Sequence, residues 1–342
     1  MPPISKLGFY PDGKGIGNRR LLRYDVPMKP LARSVMGKSS IALFSTLLVG
    51  SRMVMPLAAE ESAAPKPSQP PLPLVPGAEV VALWPTGSPT LKGFDEKEVF
   101  TRAKNQPTRV QSVANVHNPS IELHLAPVDK ANGTAIIVAP GGGNKNLGVG
   151  TEGVDIAAWL NHLGTSAFIL RYRLQPYSSS VDALADTQRS IRLIRAHAKE
   201  WGIDPNKIGI MGFSAGGEQA ARAALHFDGG NAAAVDPVEQ QSDRPDFAVL
   251  IYAGWRELDL SQVPTNAPSV FLTSAGVDDA FHARQTVDFY NAFFNAKIPV
   301  ELHVYGHGGH AGGLSPSNGI PFGTWQDRFV DWITDLKLMK QP

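Results

Sequence analysis

Apolar positions along this chain fall into short continuous runs, and longer segments with a helical period separate them. Residues 133–140 (GTAIIVAP), 166–173 (SAFILRYR), 207–213 (KIGIMGF), 246–254 (DFAVLIYAG), 269–276 (SVFLTSAG) and 300–306 (VELHVYG) are such runs, rich in β-branched side chains. The run at 133–140, unbroken by any polar alternation, is of the sort covered on both faces of a parallel sheet. Between them, residues 152–164 (EGVDIAAWLNHLG) read as a helix ended by Gly164, and residues 181–202 place Ala185, Ile191, Ile194 and Ala198 on one stripe of a long helix. Further helices are expected from Gly216 onward, over 283–297 (ARQTVDFYNAFFNAK) and over 324–339 (TWQDRFVDWITDLKLM). Upstream, residues 109–127 offer two short β-like stretches broken by the turn signal HNPS, which suggests an antiparallel edge. Strands alternating with helices predict a mostly parallel central sheet with helices on both faces.

The first 59 residues follow a different rule. Residues 39–50 (SSIALFSTLLVG) form an apolar run preceded by Lys29, Arg33 and Lys38 and followed by small residues. That is the three-part layout of an export signal, and the run is short for a membrane span. Residues 63–76 (AAPKPSQPPLPLVP) read as an extended spacer outside any core. The expected organisation is an N-terminal extension with a signal peptide over 1–59, a Pro-rich linker over 60–79, and one α/β domain over 80–342. A secreted or periplasmic location follows, with no stable membrane span after cleavage.

This division changes the charge balance. The whole chain carries 32 Lys and Arg against 31 Asp and Glu, but nine of the basic and two of the acidic residues lie in 1–59. The remainder holds 23 basic and 29 acidic residues, a net charge of −6, with no basic stripe to suit nucleic acid. The chain has no cysteine, so neither a disulfide scaffold nor a thiolate site is available.

In an open parallel sheet, ligands bind beyond the carboxyl ends of the strands. Four expected strand ends carry unusual residues: Gly141, Gly142 and Gly143; Ser214 within GFSAGG; Asp278 and Asp279; and His307 and His310 within YGHGGHAGG. Gly212 and Gly216, two before and two after Ser214, suit a sharp strand-to-helix turn that exposes a nucleophilic hydroxyl, although a serine in that place can also be a plain helix N-cap. A serine nucleophile needs a base and a carboxylate to orient it. His310, in a glycine-rich loop after the last strand, is the expected base ahead of His307. Asp278, the first acid after its strand, is the expected orienting group ahead of Asp279. Backbone N–H groups of Gly142, Gly143 and Ala215 are expected to hold a developing oxyanion. A metal site built from His307, His310 and an aspartate is the alternative use of the histidines; no metal or organic cofactor is expected. Lys145, Trp255 and Arg256 are candidate substrate-wall residues, with Tyr172, Arg173, Gln175 and Tyr177 behind them.

The stretches VAPGGGNKNLG, DTQRSIRLIRAHAKEWGIDPNKIGIMGFSAGGEQAA and VELHVYGHGGHAGGL resemble the α/β-hydrolase superfamily. Within it they resemble secreted esterases related to acetyl xylan esterases and hormone-sensitive-lipase-like enzymes, often labelled endo-1,4-beta-xylanase B-like. The resemblance implies an α/β-hydrolase fold, a Ser214, Asp278 and His310 triad, an oxyanion loop at Gly142 and Gly143, and hydrolysis of short-chain esters, acetyl esters of xylan or related carbohydrate first. A broad-specificity short-chain or feruloyl esterase is the alternative, and a non-catalytic carbohydrate-binding protein with this fold is the reading from a different class. Asn144 and Lys145 after the glycines, and Glu218 after SAGG, depart from the usual pattern. Only 14 residues join two of the later strands (WRELDLSQVPTNAP), so a short or absent lid is expected. The expected partner is an acylated carbohydrate or other small ester; nothing in the sequence sets an oligomeric state.

Overall fold

The structure, a computed structural model, describes residues 70–91, 96–314 and 322–339. The signal-like run and its cleavage region lie outside the described residues. Eleven strands and five α-helices follow one another: β1 (Val80–Ala82), β2 (Val99–Ala103), β3 (Gln106–Ala114), β4 (Ser120–His124), β5 (Ala135–Ala139), β6 (Asn146–Leu147), α1 (Asp155–His162), β7 (Ser166–Arg171), α2 (Asp182–Ala196), β8 (Ile208–Phe213), α3 (Ala215–Leu225), β9 (Phe247–Ile251), β10 (Ser269–Ala275), α4 (Ala280–Asn295), β11 (Val300–Tyr305) and α5 (Trp325–Asp335).

Eight strands make the central sheet in the order β1-β4-β7-β5-β8-β9-β10-β11. β7, β5, β8, β9, β10 and β11 pair in parallel, whereas β4 is antiparallel to both β7 and β1. Every residue of β5, β7, β8 and β9 is buried, as their unbroken apolar runs require. Successive strand residues face opposite ways. Phe168 of β7 therefore meets Trp201, beyond α2, at 5.3 Å between ring centroids, while the next residue, Ile169, packs at Gly153 ahead of α1. Both faces are thus covered. On one, Trp159 of α1 meets Trp325 and Phe329 of α5, each at 5.6 Å; elsewhere α2 lies against α3.

The expected antiparallel edge is present, since β4 pairs antiparallel with β1 and β7, but β3 does not belong to it and forms a separate three-stranded antiparallel sheet with β2 and β6. Asn115, at φ 56°, turns the chain between β3 and β4 and sends them into different sheets. Nor does the linker stay outside the core. Leu74 is 3% exposed within the main apolar cluster, and the N–H groups of Leu74 and Val75 donate to the buried carboxylate of Glu122 on β4. An extended proline-rich stretch still presents one apolar side chain and two donors, and these settle on the antiparallel edge.

Candidate functional site

β8 runs directly into α3, so the chain reverses at a single residue, Ser214, whose φ of 51° and ψ of −117° lie outside the usual regions. Such a conformation costs about 1–3 kcal/mol and persists only where its surroundings enforce it. Here the glycines allow it: a Cβ on Gly212 would lie 2.1 Å from the Gly216 carbonyl oxygen, and one on Gly216 would lie 2.0 Å from the Ala139 carbonyl oxygen. The backbone is then pinned, because Ser214 N–H donates to the Ile251 carbonyl (3.1 Å) and its own carbonyl accepts from Glu218 and Gly254. Ser214 occupies the N-cap position of α3, yet its side chain makes no cap hydrogen bond. Its Oγ instead lies 2.9 Å from His310 Nε2.

His310 stands in the glycine-rich loop that follows β11. Its other nitrogen, Nδ1, is 2.8 Å from Asp279 Oδ2, and the Tyr252 ring packs edge-on against it at 5.0 Å. The expected carboxylate, Asp278, does not reach this histidine. After β10 the chain makes one 3-10 turn, Val277–Asp279, in which neighbouring side chains project about a third of a turn apart. Asp279 faces inward, its side chain 8% exposed, whereas Asp278 faces outward at 43%. Asp278 accepts from Gly308 N–H and lies 3.3 Å from the exposed ring of His307. Those two partners hold it below the usual carboxylate range. The histidine expected as second choice thus pairs with the acid expected as first choice, outside the site.

The loop after β5 turns tightly. Gly142 has φ 139°, and a Cβ there would lie 2.0 Å from the Asn146 carbonyl oxygen. Its own carbonyl accepts from Lys145 and Asn146, and exposed Gly143 and buried Ala215 both line a cavity of about 480 Å³ with Ser214. Trp255 and Arg256 also line that cavity; Lys145 is exposed and does not. Trp255 is mostly covered, its ring tilted against Phe289 at 5.7 Å, so only part of the indole faces the space. Gln175, Ser179, Glu218 and Arg222 give the lining a polar character. Glu218 accepts from Arg222 at 2.8 Å and from Ser179 at 3.2 Å. Tyr172 and Arg173 are buried and committed elsewhere: the Tyr172 hydroxyl donates to the Pro140 carbonyl, and Arg173 pairs with Asp186 at 2.7 Å.

Behind the site lies a group that the sequence reading missed. Glu152, in a π-helical turn (Gly150–Val154) just before α1, is 5% exposed. Its Oε2 accepts from Gly141 N–H at 2.8 Å, and its Oε1 accepts from the Tyr252 hydroxyl at 2.7 Å. The Tyr252 oxygen in turn accepts from Gly313 N–H at 3.1 Å. One carboxylate thereby ties the glycine loop after β5 to the loop that carries His310. Burial raises the Glu152 carboxyl above its ordinary range, opposed by these hydrogen bonds and by His310, and burial likewise pushes the Tyr252 phenol well up. No residue pattern announced Glu152; its position within a helix-like segment reads as solvated.

The arrangement supplies a hydroxyl with a proton acceptor, an imidazole with a carboxylate behind it, and backbone donors beside the hydroxyl at the positive end of α3. Asp279, His282 and His310 also bring one ligand atom each within 4.8 Å of one another, close enough for a divalent cation. Direct hydrogen bonds among the three account for that closeness, and His307 is not part of the group.

Residues 121–255 match the family described as BD-FAE. The chain is similar to the acetylxylan esterase of Xylanibacter ruminicola, 28% identical over 239 residues that cover 61% of this chain and 45% of that protein. It is also similar to endo-1,4-beta-xylanase B of Butyrivibrio fibrisolvens, 29% identical over 228 residues that cover 58% of this chain and 35% of that protein. This chain therefore spans less than half the length of either relative. Among solved structures, the acetyl ester-xyloside bifunctional hydrolase from Caldicellulosiruptor lactoaceticus superposes with a TM-score of 0.64 at 30% identity, covering 78% of this chain and 99% of that one. Thermogutta terrifontis esterase 2, 18% identical with a TM-score of 0.56, shares the fold.

Proposed function

Because the chain belongs to the α/β-hydrolase family described as BD-FAE, we propose that it is a serine carboxylesterase that removes short acyl groups, acetyl first, from carbohydrate of the xylan kind. The observation that carries this reading is the continuous line from Ser214 Oγ through His310 to Asp279, with Ser214 lining a polar, open cavity. His310 takes the Ser214 proton as the oxygen attacks the ester carbonyl. Asp279 holds the imidazole in the tautomer that accepts at Nε2 and stabilises the imidazolium once formed. The N–H groups of Ala215, Gly143 and Gly142 face the oxyanion. His310 then gives its proton to the departing sugar hydroxyl, and a water activated by the same nitrogen releases the acid.

The relatives support the substrate class by what their names state, an acetylxylan esterase and an acetyl ester-xyloside hydrolase. The polar lining supports a hydroxyl-rich leaving group over a long acyl chain. The apolar run at 39–50 with basic residues ahead of it supports export to a place where such polymers occur. Acetate release from acetylated xylan by the protein and by Ser214→Ala tests the reading. Release that disappears in the variant is expected. Serine-dependent cleavage of simple acetate esters without release from xylan would leave a broad short-chain esterase, and no serine-dependent cleavage of any ester would leave a binding protein.

A further inference from the structure

Asp279 has two histidines, and the reaction above uses one. His282 Nδ1 lies 2.6 Å from Asp279 Oδ1, while His310 Nδ1 lies 2.8 Å from Oδ2. The two imidazoles are stacked with centroids 4.0 Å apart and planes within 17°. Each presents the same nitrogen to the same carboxylate, one oxygen each. His282 follows Asp279 by three residues at the start of α4, a spacing that puts both on one face. Its ring rests where Gly254 leaves room: a Cβ at 254 would come 2.3 Å from the His282 Cδ2. The Phe281 ring meets it edge-on at 4.9 Å, and the Thr286 hydroxyl donates to its carbonyl.

Resting on the serine-esterase reading, we propose that His282 is a positioning residue for the Ser214 reaction. It satisfies the second oxygen of Asp279, fixes the plane of that carboxylate, and backs the ring of His310. The need for it follows from what Asp279 lacks. Its side chain is 8% exposed, among the described residues the two imidazoles are its hydrogen-bond partners, and although it stands at the N-cap of α4 it makes no side-chain cap hydrogen bond. Exposed Asp278, by contrast, takes a backbone N–H from Gly308. A buried carboxylate oxygen left without a donor turns toward any that remains. Removing His282 therefore frees Asp279 to rotate about its Cβ–Cγ bond and share the one donor on His310, which loosens the orientation of the base.

The test compares His282→Ala and His282→Asn in the full chain, with two readouts: steady-state hydrolysis of a small acetate ester, and the rate at which a fluorophosphonate labels Ser214. The asparagine amide nitrogen falls near the position of Nδ1, so this variant keeps the donor and discards the ring. In His282→Ala, kcat and the labelling rate are expected to fall about 10–100-fold, the range seen when groups that orient catalytic ligands are removed, with KM within about twofold. In His282→Asn most of the loss is expected to return. Wild-type labelling and kcat in His282→Ala would overturn the proposal while leaving the esterase reading intact. So would a rise in KM alone, which would make His282 a substrate contact, or a loss that asparagine does not recover in a variant melting at the wild-type temperature. Unlabelled Ser214 in the wild-type protein would instead overturn the esterase reading, and this inference with it.

Discussion

Two clusters of acidic and basic side chains lie at this sheet, and they are built differently. Along α2, Arg189, Arg192 and Arg195 recur every three residues and reach the segment between α3 and β9. Arg189 pairs with Asp236 and Glu239, Arg192 with Asp228 and Asp243, and Arg195 with Asp246. Each guanidinium also donates to backbone carbonyls, at Leu83, Gln241 and Arg244 among others. In that cluster the guanidinium groups are largely buried and each is held by one or more carboxylates as well as by backbone carbonyls. Around Asp279 the groups are two imidazoles and, beyond one of them, a hydroxyl, and Ser214 and His282 border the cavity. The difference separates charge used for fastening from charge kept ready for transfer. Saturated ion pairs hold a loop; a carboxylate whose donors are themselves acids and bases can pass an effect to a substrate.

The comparison is broken most severely at the neighbouring acids. Asp279→Asn is expected to lower kcat about 10⁴-fold, as loss of the orienting carboxylate does in serine enzymes generally. Asp278→Asn should leave kcat unchanged, since that side chain faces solvent; equal losses in the two would show that the turn places them otherwise.

On the fastening side, Arg192→Ala removes a cation from Asp243, whose side chain is fully buried. About 3–5 kcal/mol of stability should be lost in urea unfolding, the range for one partner of a buried pair removed, with kcat on a small ester retained by the folded fraction. A loss of kcat without a loss of stability would mean that the two clusters are coupled.

Glu152 sits between the two behaviours, buried like a fastener yet joined to both loops of the site. In Glu152→Gln the amide keeps one acceptor, so Gly141 N–H or the Tyr252 hydroxyl loses its partner, and about 1–3 kcal/mol should go. The pH dependence has a fixed sign. Burial raises the folded-state pKa of Glu152 above its unfolded value, so the native state binds the proton more tightly, and ionisation costs stability as pH rises from the ordinary carboxyl range through the raised value. The advantage of the wild type over Glu152→Gln should be greatest on the acid side of that window and level off above it. Stability curves measured at several pH values would check this, and an advantage that grows with pH would mean that the hydrogen bonds outweigh burial.

The parallel strands were legible because burial on both faces leaves no polar position to interrupt β5, β7, β8 or β9. Ser214 was legible for a related reason: only glycines tolerate the backbone contacts that flank it. The choice between Asp278 and Asp279 was not. Adjacent acids have the same composition and nearly the same distance from the strand, and one tight turn decides which faces inward. Glu152 and His282 were hidden because a helix is recognised by its apolar stripe, and a polar residue off that stripe reads as solvated whether or not the partner loops cover it. Leu74 was hidden by its proline-rich surroundings, whose composition describes stiffness and says nothing of what one leucine covers.

The strand order has a consequence for how activity first arises in a new chain. β11 is at the outer edge of the sheet and pairs with β10 alone, while Ser214 stands near the centre, nearly a hundred residues earlier in synthesis. Parallel pairing waits on contacts between distant segments and is slow to complete. Ser214 is therefore synthesised well before His310, and on the esterase reading a chain halted short of residue 310 would lack the proposed base. The appearance of esterase activity would mark the docking of the last strand, which makes hydrolysis of a simple ester a clock for the end of folding.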